Sequence, residues 1–448
     1  MKQRLVWVVV VSVGMTGLVR GEENWPSFRG PAGTGVAENE RLPDTWSATE
    51  NVAWKIDLPG RGWSSPIVWE NQVIVTTAVN PGDTPEAKKG LYFGGEQAQP
   101  PQAVHHWKVI SLHRDNGSVL WEQTLHEGKP AWPLHIKNTY ASETPVTDGE
   151  RIYVCFGNLG IYCLDLSGKL LWNHPLPARK MRLGWGTAAS PVLHGDRLFI
   201  VHDNEEQSYL LALDKHSGKE LWRVERDEKS NWSTPFVWQN DLRTELVTPG
   251  TNRVRSYDLE GKPLWDVAGM SSITIATPYA AHGLLYVSSG YVLDQKQPLL
   301  AIRPGGQGDL SLPADKNQGE FIAWAQKKGA PYNPTTLVYG DRLYVLYDMG
   351  LFANYDARTG KEIYGGGNKR MRIPNGKAFT ASPWGNDGKI FCLNEDGTTF
   401  VIQAGDEFKI LHTNELAEDD MAMATPALTG DRLLIRTAAR LYCLKRGE

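Results

Sequence analysis

Seven residues between positions 61 and 253 combine stacking surfaces with both signs of charge: Arg61, Trp63, Tyr140, Asp203, Glu205, Trp232 and Arg253. Trp and Tyr rings can stack on a planar ring or a sugar, and the two guanidinium forks can hold carboxylates in bidentate fashion. Asp203 and Glu205 belong to an acidic run, Asp203-Asn204-Glu205-Glu206, which reads either as a solvated hairpin loop or as an acidic calcium site. His105-His106 has neither an i, i+4 helical spacing nor a Cys partner, so no metal site is predicted from it. Two basic stretches, Arg179-Lys180-Met181-Arg182 and Lys369-Arg370-Met371-Arg372, read as an anionic docking patch or as solvated loops. The chain has neither a Gly-x-Ser-x-Gly elbow nor a phosphate-binding Gly-rich loop leading into a helix, and no catalytic residue is assigned.

The elements that must carry these residues come from a repeat. Its fullest copy, Leu211 to Trp222, reads L-A-L-D-K-H-S-G-K-E-L-W, and weaker copies end at Trp121, Trp172, Trp265 and Tyr364. Each copy follows a Thr or Ser before Pro, apolar residues, a polar turn and a β-rich run. The pre-strand prolines are Pro66, Pro145, Pro191, Pro235, Pro278, Pro334, Pro383 and Pro426, most of them spaced by the roughly 40–50 residues of one propeller blade. This predicts an all-β chain: an eight-bladed β-propeller of four-stranded antiparallel blades. Asp, Ser and Gly make the turn between third and fourth strands, and Trp then docks on the next blade. The predicted docking set is Trp54, Trp121, Trp172, Trp222 and Trp265. Trp54 lies in Asn51–Asp57, an outer-strand pattern without a preceding blade, so an N-terminal strand is expected to complete blade eight and remove its open edge. Insertions are expected near 80–104 and 304–319. The loops entering each first strand, and those joining second to third strands, share one face. That face would gather the seven residues, although a Trp before a strand can equally plug the axial channel.

Residues 1–21 read as a secretory signal, with Lys2 and Arg4 before an apolar run too short to span a membrane. The expected organisation is therefore a signal at 1–21 and one propeller at 22–448, exported to the periplasm or secreted. Losing Lys2, Arg4 and Arg20 makes the formal charge of −4 more negative, which argues against a nucleic-acid partner. No Cys stands near the cleavage site, so no lipid anchor is expected, nor is any transmembrane segment. Cys163 and Cys443 fall in the small-residue slot that Ala212 fills, which suits buried thiols, while a Cys155–Cys163 bridge stays open.

The A-x-D-x-x-S-G-K-x-x-W repeat with its S-P or T-P strands resembles the tryptophan-docking repeat of pyrroloquinoline-quinone (PQQ) propellers. That superfamily includes quinoprotein dehydrogenases and BamB-type outer-membrane assembly factors. Trp25–Pro31 (W-P-S-F-R-G-P) and Lys137–Pro145 look like secreted PQQ-like repeat proteins. The resemblance implies either of two roles. One is a non-enzymatic binding scaffold for a protein or glycan of the cell envelope, without cofactor and monomeric. The alternative is a PQQ- and calcium-dependent dehydrogenase acting on alcohols or sugars. No two cysteines are adjacent here, unlike the cysteine pair that many quinoprotein alcohol dehydrogenases carry.

Overall fold

The computed structural model describes residues 24–39, 41–82, 88–90, 94–417 and 420–447. The expected signal, residues 1–21, lies outside them. Eight antiparallel sheets of at least four strands each follow one another around a ring. Blade three shows the unit: Val192–His194, Arg197–His202, Ser208–Asp214 and Glu220–Arg226, paired in that order from the axis outward. The middle strands are buried nearly throughout, and the outer strand alternates between half-buried and exposed up to the buried Arg226. This is the pattern of sheets packed face to face around a channel.

The predicted closure is present. Val52–Asp57 pairs antiparallel with Arg440–Lys445 as the fourth strand of blade eight. The Ser/Thr before each first strand also has a physical reason. Ser65 N–H donates to Thr144 Oγ1 (3.0 Å), Thr144 N–H to Ser190 Oγ (2.9 Å) and Ser190 N–H to Thr234 Oγ1 (3.1 Å). Thr277, Thr335 and Ser382 continue the series to Thr335, Ser382 and Thr425, each at 3.0 Å. A belt of hydroxyls thus links neighbouring blades near the axis. The belt corrects one repeat boundary: in blade six the hydroxyl is Thr335 and Thr336 fills the proline slot, so Pro334 stands outside the register.

Tryptophan docking is equally regular. Trp222 Nε1–H donates to Leu259 O (2.9 Å) in the third turn of blade four, Trp172 to Lys215 O (3.1 Å), Trp121 to Leu166 O (2.9 Å) and Trp54 to Arg114 O (2.8 Å). Each ring lies against the turn glycine of the next blade. At Gly218, where φ is +69°, an added Cβ would come within 2.4 Å of the Trp172 ring. Trp265 departs from the pattern. It packs against blade five, but its N–H donates to Glu245 Oε2 (2.5 Å) inside its own blade. The reason is the insertion after Ile302, which replaces the blade-five turn that would accept it. Part of that insertion, Gly308–Asp309, instead adds a parallel fifth strand to blade four. Trp324, beyond the insertion, takes the docking role towards Ala357 O (2.9 Å).

The four cysteines are free and buried. Cys155 stands opposite Ile161 and Cys163 opposite Tyr153, so the two thiols are diagonal neighbours, a spacing wider than a disulfide accommodates. Cys163 and Cys443 do face docking tryptophans, Trp172 and Trp54, as their slot predicts.

A second N-terminal device was not anticipated. Residues 24–39 cross the face opposite the proposed site. Trp25 bridges to Val68 in blade one, Pro26 O accepts from Thr147 in blade two, and Val36 and Asn39 bond to blade seven. Arg29, 1 % exposed, donates to Pro383 O (3.2 Å) and Thr336 O (3.3 Å) and lies over the Tyr279 ring. Burial without a carboxylate partner lowers its pKa to about 10.

Candidate functional site

The seven predicted residues lie on or beside the face that carries the strand-entry and second-to-third loops, in separate groups. In blades one and two, Trp63 Nε1–H donates to Lys137 O (2.8 Å), and Tyr140 OH donates to Trp132 O (2.8 Å). Tyr140 also stands edge-on to His105 and Trp107, and burial pushes its hydroxyl pKa up. Arg61 pairs through its backbone with Ala78. In blades three and four, Asp203 has a fully buried side chain, bound at both oxygens by Arg226 (2.8 and 2.9 Å) and bonded to Asn231. Arg226 is held in turn by Thr248 and Tyr257. Glu205 Oε1 accepts from Ser230 Oγ (2.8 Å), and Trp232 Nε1–H donates to Gly186 O (2.6 Å). Arg253, further out, is ion-paired with Asp266.

These residues are therefore engaged by neighbours outside the set. The structure places them around a common mouth without leaving their polar groups aimed at one vacant point. Trp232, Met181, Ile273 and Tyr291 form a buried cluster, with Trp185 and Tyr332 packed on it, that fills the mouth on the side of blades three to five. Two cavities nearby each hold about one water. One is lined by Glu143, His202, Asp203 and Asn231. Burial raises the pKa of the Glu143 carboxyl and lowers that of His202, which faces Gly157 O at 3.0 Å.

PQQ is a planar tricyclic quinone bearing several carboxylates, and its calcium needs convergent oxygen ligands. The residues present do not fit this pair. Among the described residues the two cavities beside the mouth are water-sized, and Asp203, Asp348 and Glu395 already accept bonds from Arg226, Asn333 and Lys137. Among the described residues no group of three His, Cys, Asp or Glu is placed to hold a metal. His105 and His106 are engaged separately, with Ala103 O and Glu127.

Sequence reasoning did not anticipate Leu183 or the Lys137–Glu395 pair on this face. Leu183 lies in the turn between blades two and three with φ +51° and is 56 % exposed. A positive φ is unfavourable for a leucine, and nothing in its residue type announces it. Lys137 and Glu395 form a buried ion pair across 258 positions of sequence. The basic stretch at 179–182 was visible. Arg182 from it lies over the Tyr291 ring at 5.9 Å, and Arg370 from its counterpart lies over Tyr347 at 3.7 Å.

An eight-bladed ring with tryptophan docking, closed by its N-terminal strand and carrying a polar mouth packed with its own side chains, defines a PQQ-like propeller. The chain belongs to the family described as outer membrane protein assembly factor BamB, whose model matches residues 44–204, 105–268, 159–331 and 206–448 in overlapping copies. A BamB of Yersinia pestis is 23% identical over 215 residues, 43% of this chain and 50% of that protein. One of Salmonella typhimurium is 24% identical over 137 residues, 30% of this chain and 31% of that protein. The matched stretch thus spans half or less of these curated relatives. Among solved structures, BamB from Moraxella catarrhalis superposes with a TM-score of 0.57 at 12% identity, covering 88% of this chain and 99% of that one. A europium-containing methanol dehydrogenase gives 0.60 at 11% identity, over 94% and 98%. Both likenesses concern the fold. No helix among the described residues is long and apolar enough to cross a membrane.

Proposed function

We propose that this chain is an exported, non-enzymatic propeller that binds a protein of the cell envelope through the strand-entry face. Outer-membrane protein assembly, the role named for its relatives, is the process it would serve. The observation that carries the reading is the apolar, basic relief around the mouth. Leu183 is held outward in a left-handed conformation beside Arg182, and Val292, Leu293 and Met349 are each more than half exposed on neighbouring loops. Apolar knobs rimmed by arginines are what protein interfaces use, and scattered surface leucines would not need a strained backbone. The N-terminal apolar run supports export.

A glycan ligand fits less well, because the aromatic rings of the mouth are packed on one another. The dehydrogenase reading draws support from the fold likeness alone. The test is a pull-down from an envelope fraction with wild type and with Leu183→Asp/Leu293→Asp. Capture of a defined protein by wild type and its loss in the double variant, at an unchanged melting temperature, is expected. Equal capture by both would overturn the assignment to this face. Dye reduction with alcohols or sugars after loading with PQQ and calcium would replace it with catalysis.

A further inference from the structure

The connection from blade one to blade two, residues 129–138, leaves the outer strand Val119–Gly128 and crosses the entry face towards the axis. Its inner end is tied to a blade it does not adjoin. Lys137 Nζ is bonded to Oε1 of Glu395, in the loop after the second strand of blade seven, so the tie skips blade eight. The Glu395 side chain is fully buried. Its Oε1 also accepts from Thr380 Oγ1 (2.6 Å), and its Oε2 accepts from the Gly90 N–H (2.9 Å). Lys137 Nζ donates as well to Gly90 O (2.9 Å). One carboxylate thus gathers donors from the connection, from the blade-one insertion and from blade seven. Beneath the connection, Pro130, Trp132 and Leu134 roof a water-sized cavity floored by Trp107, Tyr140 and Phe156.

We infer that residues 129–138 are a strap closed over the mouth by Glu395, and that freeing this carboxylate lifts the strap and opens the aromatic-walled cleft below. The geometry favours a latch over a permanent seam. The inter-blade seams elsewhere are made by docked tryptophans and the hydroxyl belt, many small contacts repeated around the ring. Here the reach to blade seven runs through one buried carboxylate, while other bonds of the strap, from Trp63 Nε1–H to Lys137 O, from Tyr140 OH to Trp132 O and from Ile136 N–H to Gly95 O, stay on the blade-one and blade-two side. Removing one partner of a buried ion pair leaves the other uncompensated. The inference does not depend on what the face binds.

The experiment is hydrogen exchange by mass spectrometry on the full chain, comparing wild type, Glu395→Gln and Thr380→Val. Exchange within 129–138 should rise by roughly tenfold or more in Glu395→Gln, the scale of losing a charged hydrogen bond. Arg197–His202 and Lys389–Leu393, strands of blades three and seven, should keep their protection. If Glu395→Gln fails to fold, Thr380→Val removes one donor to the same carboxylate without touching a charge and should raise strap exchange more modestly. Unchanged exchange at 129–138, or a rise shared equally by the blade-seven strand, would overturn the latch.

Discussion

Gly218→Ala tests the repeat at its most economical point. Gly218 sits at φ +69° in the third turn of blade three, with the Trp172 ring of blade two against it. An alanine there meets two separate penalties. The left-handed backbone costs about 1–2 kcal/mol for a residue with a Cβ. The new methyl would also fall 2.4 Å from Trp172, and crowding of that kind in a packed site costs about 1–3 kcal/mol. Gly195, in the first turn of the same blade, has φ +57° and open space around its would-be Cβ. Gly195→Ala should therefore lose only the first amount. Equilibrium urea unfolding should separate Gly218→Ala from Gly195→Ala by about 1–3 kcal/mol. Trp172→Ala costs its own ~3–5 kcal/mol, but on that background Gly218→Ala should shrink to the Gly195 value. The double-mutant cycle isolates the ring-to-glycine contact. Equal losses at the two glycines, or a Gly218 loss that persists without Trp172, would refute inter-blade docking as the reason for this glycine.

Three further outcomes are expected. Arg29→Met, which strips the carbonyls of Thr336 and Pro383 of a charged donor, should cost about 2–3 kcal/mol and expose residues 24–39 to limited proteolysis; an uncleaved, equally stable variant would show the crossing segment to be held by other contacts. Trp324→Ala should cost about 3–5 kcal/mol like Trp222→Ala, and a loss under about 1 kcal/mol would remove it from the docking set. Burial raises the pKa of Glu143, so the folded state holds its proton more tightly than the unfolded chain, whose carboxyl titrates near ~4.3. The stability this gives is complete below the unfolded value and is lost as pH climbs through the folded one. The free energy of Glu143→Gln relative to wild type should therefore improve between pH 5 and pH 8 in urea titrations; a flat or falling difference would refute the assignment.

The ring was legible because its contacts are local and repeated. Docking glycine, docking tryptophan and belt hydroxyl each recur at a nearly fixed offset, so the chain announces them many times. Trp324 was hidden because the insertion after Ile302 separates it from the motif that would have identified it, and the same insertion took the docking carbonyl away from Trp265. Thr336 in place of proline blurred the start of blade six. The face on which the seven residues lie could be read from loop positions alone. A free pocket could not, because whether Asp203 is vacant depends on Arg226, and whether Lys137 is vacant depends on Glu395. The burial of Arg29 and Arg436 was unreadable for another reason: residue type places arginine at the surface, and both are 1 % exposed. Arg436 serves as a strut from blade eight to Ser64 and Thr76 of blade one.

The N-terminal segment also sets a timetable. Residues 24–57 are synthesised before any blade, yet their partners include Pro383, Gly385 and the strand Arg440–Lys445. Blades one to seven can form in the order of synthesis, since each needs only its own hairpins and its neighbours. Trp25 and Pro26 can settle on blades one and two early, but Val52–Asp57 has no partner strand until the eighth blade exists. Ring closure is thus a long-range, late event of the slow kind, and until it occurs Val52–Asp57 and the open edge of blade eight both lack a partner.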